Sequence, residues 1–424
     1  MARPSPKSPT PPAAPTARAL LPGAVAASSI GLVLTAGLLA AYLVPLIIQS
    51  LTDELGIAPS VAGSLVTGML LVSAIGSGLA AGAAAGRRRP ALARAGLVVS
   101  AAGCVVAALV PHIVPVLAGM LAVGCGSGVA VATSSAALAA ARDVDRMTSA
   151  SLVINRLLSA AVLALVPILG GGLMVTFLAL GGFALLMLPV VAGLPAAPAA
   201  ASGSPTPVDR SSTIGPALSW LLLACIVVSA LSEESLWAVS AVVAVGQVGL
   251  PELTVGLILS AAALTGLVGV LLVAVLGSRF GRAVPLAVLL VLGGISKFVA
   301  VTTTSGPVFI AAILAWSVWY PATITYLLAL AASLQRAGRW AALAQSAYLC
   351  GATLAPLVGS SLGEFLGYHP TGWLLGGSSV LLAAPLAFLA HRADRRRPAE
   401  VTEATPDHES SGPAAAQHTP GVFS

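Results

Sequence analysis

Long apolar runs alternate with short polar breaks along almost the whole chain. The runs fall at residues 23–50, 58–85, 91–110, 113–140, 148–170 and 173–194, then at 215–245, 253–277, 283–302, 306–333, 340–363 and 371–391. A helix needs about 20 residues to cross the hydrocarbon of a bilayer, and each run reaches that length. The pattern predicts an all-α integral membrane protein with twelve transmembrane helices.

Three segments stand outside the pattern. Residues 1–22, rich in Pro and Ala, read as a disordered cytoplasmic tail, because the apolar run behind them is too long for the core of a signal peptide. Residues 195–213, rich in Pro, Ala and Ser, have the composition of a cytoplasmic linker. They divide the chain into one six-helix bundle over 23–194 and a second over 214–391. Residues 392–424 read as another disordered cytoplasmic tail.

Composition narrows this picture. The 424 residues are 58% hydrophobic and 8% charged, with a mean hydropathy of +1.00, whereas soluble domains carry about 25% charged residues. Water is therefore not the main solvent. The 44 glycines and 30 prolines interrupt apolar runs, where transmembrane helices tolerate them. Cys104, Cys125, Cys225 and Cys350 lie far apart inside such runs and read as small core residues, not as disulfide or metal ligands.

The formal charge of +6 is explained by its placement. Of the 20 Lys and Arg residues, all except Arg156 and Lys297 fall on one side of the predicted spans. Arg3, Lys7 and Arg18 are in the first tail, Arg87 to Arg89 and Arg94 follow span two, and Arg142 and Arg146 follow span four. Arg210 is in the linker; Arg279 and Arg282, Arg336 and Arg339, then Arg392 and Arg395 to Arg397 follow spans eight, ten and twelve. The opposite breaks hold Asp53, Glu54, His112, Glu252, Glu364 and His369. Cytoplasmic loops are the ones that carry Lys and Arg, so a multi-pass protein of the cytoplasmic membrane with both termini in the cytoplasm is expected. A basic stripe with interleaved aromatics, the mark of a nucleic-acid partner, is lacking.

The two halves also repeat. At an offset of 193, Gly56 matches Gly249, Gly63 matches Gly256, Gly76 matches Gly269 and Arg89 matches Arg282. The turn after span eight reads Gly277, Ser278, Arg279, Phe280, Gly281, Arg282. It resembles the D-R-x-G-R loop signature of the major facilitator superfamily, with Ser278 where the family carries Asp. Span five ends in Val166, Pro167, Ile168, Leu169, Gly170, Gly171, which resembles the G-P-x-x-G-G element associated with exporters of that superfamily. The resemblance covers residues 23–391. It implies two pseudo-symmetric six-helix bundles with a solute site between them near the bilayer midplane, and secondary active transport by alternating access.

Charge inside hydrocarbon is costly, so intramembrane ionisable residues are functional candidates. They are Arg156 in span five, Glu233 and Glu234 in span seven, and Lys297 in span nine. Neighbouring helix positions are about 100° apart, so Glu233 and Glu234 can border one cavity. Such a carboxylate can take up a proton on one face of the membrane and release it on the other. In the family resembled, span seven lines the cavity. Arg156, beside Asn155 and one or two turns inside the cytoplasmic end, is suited to hold an anionic group, to pair with a span-seven carboxylate, or to snorkel. Lys297 belongs to a span that is peripheral in that family, which favours a structural or snorkelling role.

Aromatic residues make up only 4% of the chain, yet Trp316, Trp319, Tyr320 and Tyr326 crowd span ten. Trp316, Trp319, Tyr320 and Thr323 fall broadly on one face at helical spacing, suited to stacking on an amphipathic or aromatic solute. Interfacial anchoring is the alternative. Trp237, one turn from Glu233, and Tyr42 and Gln49 on span one, with Pro45 between them, complete the candidate lining.

No phosphate-binding loop, metal cluster or catalytic triad is present in the sequence, so neither cofactor nor metal is expected. The expected partners are a small solute, protons and membrane lipids, with the protein acting as a monomer. The function expected is proton-coupled export of an amphipathic or drug-like compound. Uptake of a small organic anion by symport remains open, as does a non-transporting sensor or an intramembrane enzyme.

Overall fold

The computed structural model describes residues 17–141, 143–195, 214–276, 281–335 and 339–395. The expected tails therefore fall mostly outside the described residues, as do residues 196–213 of the linker and Arg142, Ser278, Arg279 and Arg336. In the first half, α1 (Ala17–Tyr42) and α2 (Val44–Leu55) are followed by α3 (Pro59–Ala84), α4 (Arg89–Leu109), α5 (Ile113–Ala139), α6 (Val144–Ile168) and α7 (Gly172–Leu186). In the second half, α8 (Pro216–Gly246), α9 (Glu252–Leu276) and α10 (Ala283–Thr302) precede α11 (Gly306–Ala332), α12 (Arg339–Leu366) and α13 (Tyr368–Arg395).

Eleven of these helices are long and apolar enough to cross a bilayer. The first crossing is broken into α1 and α2, since Pro45 has no N–H to give the carbonyl four residues back and the helix interrupts at Leu43. The sixth is the short apolar α7, carried on by a turn and the 3-10 helix Val190–Gly193. Twelve crossings result. Helicity begins at Ala17, so residues 17–22, expected as tail, belong to α1. Pro59, Pro90, Pro216 and Pro307 stand in first turns, where a missing N–H loses nothing. Leu79, Phe365 and Leu381 are almost wholly exposed, as lipid-facing residues are. Cys104 and Cys225 are buried, but Cys125 and Cys350 are exposed, correcting the expectation that all four are core residues.

The repeated glycines do equivalent work in the two halves. A Cβ on Gly63 of α3 would collide with the backbone of α12 at Pro356, and one on Gly256 of α9 would collide with Pro167 of α6. Each glycine thus lets its helix close on the opposite half. Gly76 packs α3 on Cys125 of α5, and Gly269 packs α9 on Val318 of α11. Only a glycine leaves room for backbones this close, as in other membrane helix pairs.

One end of the bundle carries the Arg-bearing turns and the other the carboxylates Asp53, Glu54, Glu252 and Glu364. The halves meet through α3 with α12, α6 with α9, and α2 with α8. Among the described residues, hydrogen bonds across these seams include Glu364 accepting the Ser60 N–H at 2.8 Å, Thr67 Oγ1 accepting the Leu357 N–H at 3.0 Å, and Ser260 donating to the Ala160 carbonyl at 2.7 Å. All lie toward the carboxylate end of their helices. The lining of the space between the halves runs from the middle of the bundle toward the basic end, where it includes Ser77 of α3 and Gln345 of α12.

Candidate functional site

A cavity of about 540 Å³ lies between the halves, walled by α1, α3, α5 and α6 on one side and α8, α9, α11 and α12 on the other. That size suits a drug-sized organic molecule. The first-half wall is largely aliphatic, with Leu38, Met69, Leu70 and Val131, while the second-half wall is aromatic.

Adjacent positions on α8 separate Glu233 from Glu234. Glu233 is buried, 2.9 Å from Lys297 Nζ of α10, and its other oxygen accepts the Trp316 indole N–H at 2.6 Å. Lys297 also donates to Ser232 at 2.8 Å and Ser379 at 2.5 Å. A buried charge needs this degree of pairing to be tolerated. Lys297 is 0% exposed, so it does not snorkel. Glu234 instead lines the cavity, and its Oε1 accepts hydroxyls from Tyr320 and from Tyr348, the latter at 2.7 Å; the two hydroxyl oxygens are 2.6 Å apart.

Glu233 also anchors an aromatic stack. Trp316 lies between Trp237, at 6.2 Å between ring centroids and 24°, and Tyr320, at 5.3 Å and 4°. Trp316 and Tyr320 are four apart on α11, so one helical turn sets them in parallel. All three rings line the cavity.

Arg156 projects from the first half. It lies near the middle of α6, deeper than one or two turns, and its guanidinium sits 5.1 Å from the centre of the Tyr42 ring. Asn155, buried beside it, donates to the Tyr42 hydroxyl at 3.0 Å and so orients that ring without lining the cavity. A Cβ on Gly266 would be 3.9 Å from Arg156 Nη1 and 3.5 Å from both the Ser317 carbonyl and Pro321. Arg156 thus reaches across the interface to the level of Tyr320. It interacts electrostatically with Glu234, yet the ion pairs within 4.0 Å among the described residues are only Lys297–Glu233 and Arg282–Asp394. The direct Arg156–carboxylate pair considered from sequence is not formed.

Other candidates fall elsewhere. Gln49 points into a separate cleft of about 70 Å³ at the carboxylate end and donates to Asp53 at 2.5 Å. Thr323 is buried, its hydroxyl returned to the Trp319 carbonyl at 2.9 Å. Of the loop signature, Ser278 and Arg279 are outside the described residues; Gly281 adopts φ 65°, and Arg282 donates its N–H to Asp394 at 3.0 Å and a guanidinium N–H to Ser333 at 2.7 Å. That turn is therefore tied to the end of α13.

Sequence reasoning missed Tyr348, the second hydroxyl on Glu234. An isolated tyrosine deep in span eleven was the available signal. It also missed the clasp at the carboxylate end, where Glu54 of α2 accepts the Leu173 N–H at 2.6 Å and Glu252 of α9 abuts Gly171. Gly170, Gly171 and Gly172 all have positive φ there, which leaves their backbone open to both carboxylates.

The sequence profile described as Major Facilitator Superfamily matches residues 222–420. No curated protein matches the sequence. Among solved structures, the human organic anion transporter MFSD10 (TETRAN) is similar at a TM-score of 0.64 and 16% identity, over 86% of this chain and 99% of that one. A D-xylose-proton symporter is similar at 0.64 and 16%, over 86% and 96%. The nucleoside transporter NupG is similar at 0.67 and 11%, over 86% and 99%. At these identities the likeness is one of fold.

Proposed function

We propose that this chain, whose second half matches the major facilitator profile and whose whole fold is similar to that of such transporters, is a proton-coupled transporter of that superfamily that exports a small amphipathic organic solute by alternating access. The observation that carries this reading is Glu234, the carboxylate of the second half that opens onto a cavity shared by both halves. As an anion it is an acceptor for Tyr320 and Tyr348. A proton on Oε1 would turn that acceptor into a donor, so the hydroxyl arrangement around it must change. Proton binding is in this way tied to the shape of the cavity wall.

The charge rule for membrane loops puts the basic end at the cytoplasm, and the seam hydrogen bonds of Glu364, Thr67 and Ser260 all lie toward the opposite end, which supports reading this as the cytoplasm-facing state. Rocking of the halves would part α3 from α12 and α6 from α9 and open the carboxylate end. The resemblance of Val166 to Gly171 to an exporter element supports the direction, and Pro167 within it packs on Gly256 at the seam.

Purified protein in vesicles with an imposed pH gradient tests the proposal. Solutes found by comparing compound sensitivity of cells with and without the protein should move against their gradient while protons move with theirs. Glu234→Gln should remain folded and lose gradient-driven flux at least 10-fold. Undiminished proton-driven flux in that variant would sink the role of Glu234, and no flux of any solute would favour a sensor or an enzyme.

A further inference from the structure

Among the described residues that line the cavity, Arg156 is the one cation, and it forms no ion pair within 4.0 Å. Arg156 offers guanidinium donors, its nearest π partner is the Tyr42 ring, and no described carboxylate lies within 4.0 Å of it. The charges elsewhere are engaged. Lys297 is matched by Glu233 in the core, and Glu234 receives two tyrosine hydroxyls. The field of Glu234 reaches Arg156 without a direct pair, so the guanidinium N–H donors gain from an anion brought within hydrogen-bond distance.

The second feature is shape. The end rings of the stack, Trp237 and Tyr320, are half-buried and line the cavity, while Trp316 between them is 1% exposed and held by Glu233. The opposite wall is aliphatic. Arg156 reaches Gly266, beside Ser317 and Pro321, and so lies at the Tyr320 end of the stack. Charge and flat surface are therefore adjacent, and they come from different halves.

We infer that the solute is a planar aromatic anion, whose acidic group pairs with Arg156 of the first half while its ring lies against the end of the Trp237–Trp316–Tyr320 stack of the second. This rests on the transport reading for its biological meaning, but the binding itself does not need a gradient. Guanidinium and carboxylate form two parallel charge-assisted hydrogen bonds, and an aromatic face prefers another flat ring. A cationic solute of the same shape would meet Arg156 as a like charge, and Glu234 Oε1 already accepts two hydroxyls. One ligand touching both halves also bridges the two bodies that must move.

The test is equilibrium binding to full-length protein in lipid nanodiscs, with empty nanodiscs as the blank. The probes are 2-naphthoate, 2-naphthylmethylammonium and cyclohexanecarboxylate. We expect saturable binding of 2-naphthoate at least 10-fold tighter than of the other two. Arg156→Gln should weaken 2-naphthoate at least 10-fold, Arg156→Lys less, and Trp237→Leu severalfold, with melting temperatures near that of the parent protein. If Arg156→Gln does not fold, Arg156→Lys and Trp237→Leu decide by the same readout. The inference is overturned if 2-naphthoate fails to bind, if the ammonium compound binds as tightly, or if neither Arg156 variant weakens the anion. Saturable 2-naphthoate binding without proton-driven flux would leave the inference standing and sink the transport reading. Proton-driven flux of other solutes without 2-naphthoate binding would do the reverse.

Discussion

Glu233 and Glu234 are neighbours in the chain and belong to different environments. The Glu233 carboxylate is locked in the second half, 2.9 Å from Lys297 Nζ, whereas Glu234 looks into the cavity between the halves. One pair of adjacent acids thus divides structure from chemistry. Glu233 touches the cavity wall through Trp316, whose indole it holds at 2.6 Å.

Breaking that pair leaves a buried charge alone, at a cost of about 3–5 kcal/mol. Glu233→Gln and Lys297→Met should each lower the melting temperature sharply in nanodiscs, and the double variant should recover most of the loss. Single variants as stable as the parent, or a double variant no better than the worse single, would show that the pair is not a coupled unit.

Tyr348 is expected to matter for flux more than for folding. Tyr348→Phe removes one of the two hydroxyls on Glu234 and leaves the ring. Vesicle flux should fall severalfold with little change in melting temperature. Flux equal to the parent's would remove Tyr348 from the site.

Gly63 and Gly256 seal the carboxylate end by allowing contact between halves. Gly63→Val and Gly256→Val should disfavour the closed seam and shift the population toward opening at that end. In a background with Cys125 and Cys350 replaced by Ala, a cysteine placed at Ser77, toward the basic end of α3, should then label more slowly. Faster or unchanged labelling would contradict this assignment of the seam.

Gly172 and Gly182 make a matched contrast. Gly172 has φ 79° and faces Glu54, so Gly172→Ala is strained and displaces the clasp; a left-handed backbone costs an ordinary residue about 1–2 kcal/mol. Gly182 is helical with open space around it, so Gly182→Ala should be neutral or slightly stabilising. Equal melting temperatures for the two variants would argue against the clasp.

Much of the architecture was legible because the bilayer imposes it. Twelve apolar runs, the one-sided Arg residues and the repeated glycines are one-dimensional consequences of crossing hydrocarbon and of packing helices closely. The break at Pro45 has a local cause, a missing N–H, so the residue itself marks where span one can interrupt. The shorter sixth helix was less legible, because its last part depends on a 3-10 turn.

The site was legible by residue type and not by direction. Burying charge is expensive wherever it occurs, so Arg156, Glu233, Glu234 and Lys297 stood out from their surroundings. Their number along the chain could not say that Lys297 turns inward to Glu233, that Gln49 and Thr323 point away from the cavity, or that Tyr348 joins Glu234. Those outcomes depend on how α8 is rotated against α10, α11 and α12. The sequence by itself determined a two-part membrane bundle with ionisable groups inside it, because solvation acts on each residue wherever it lies. Only the tertiary structure decided which acid is buried and which meets the solute, because a rotation of about 100° between adjacent helix positions takes meaning only from the helices packed around it.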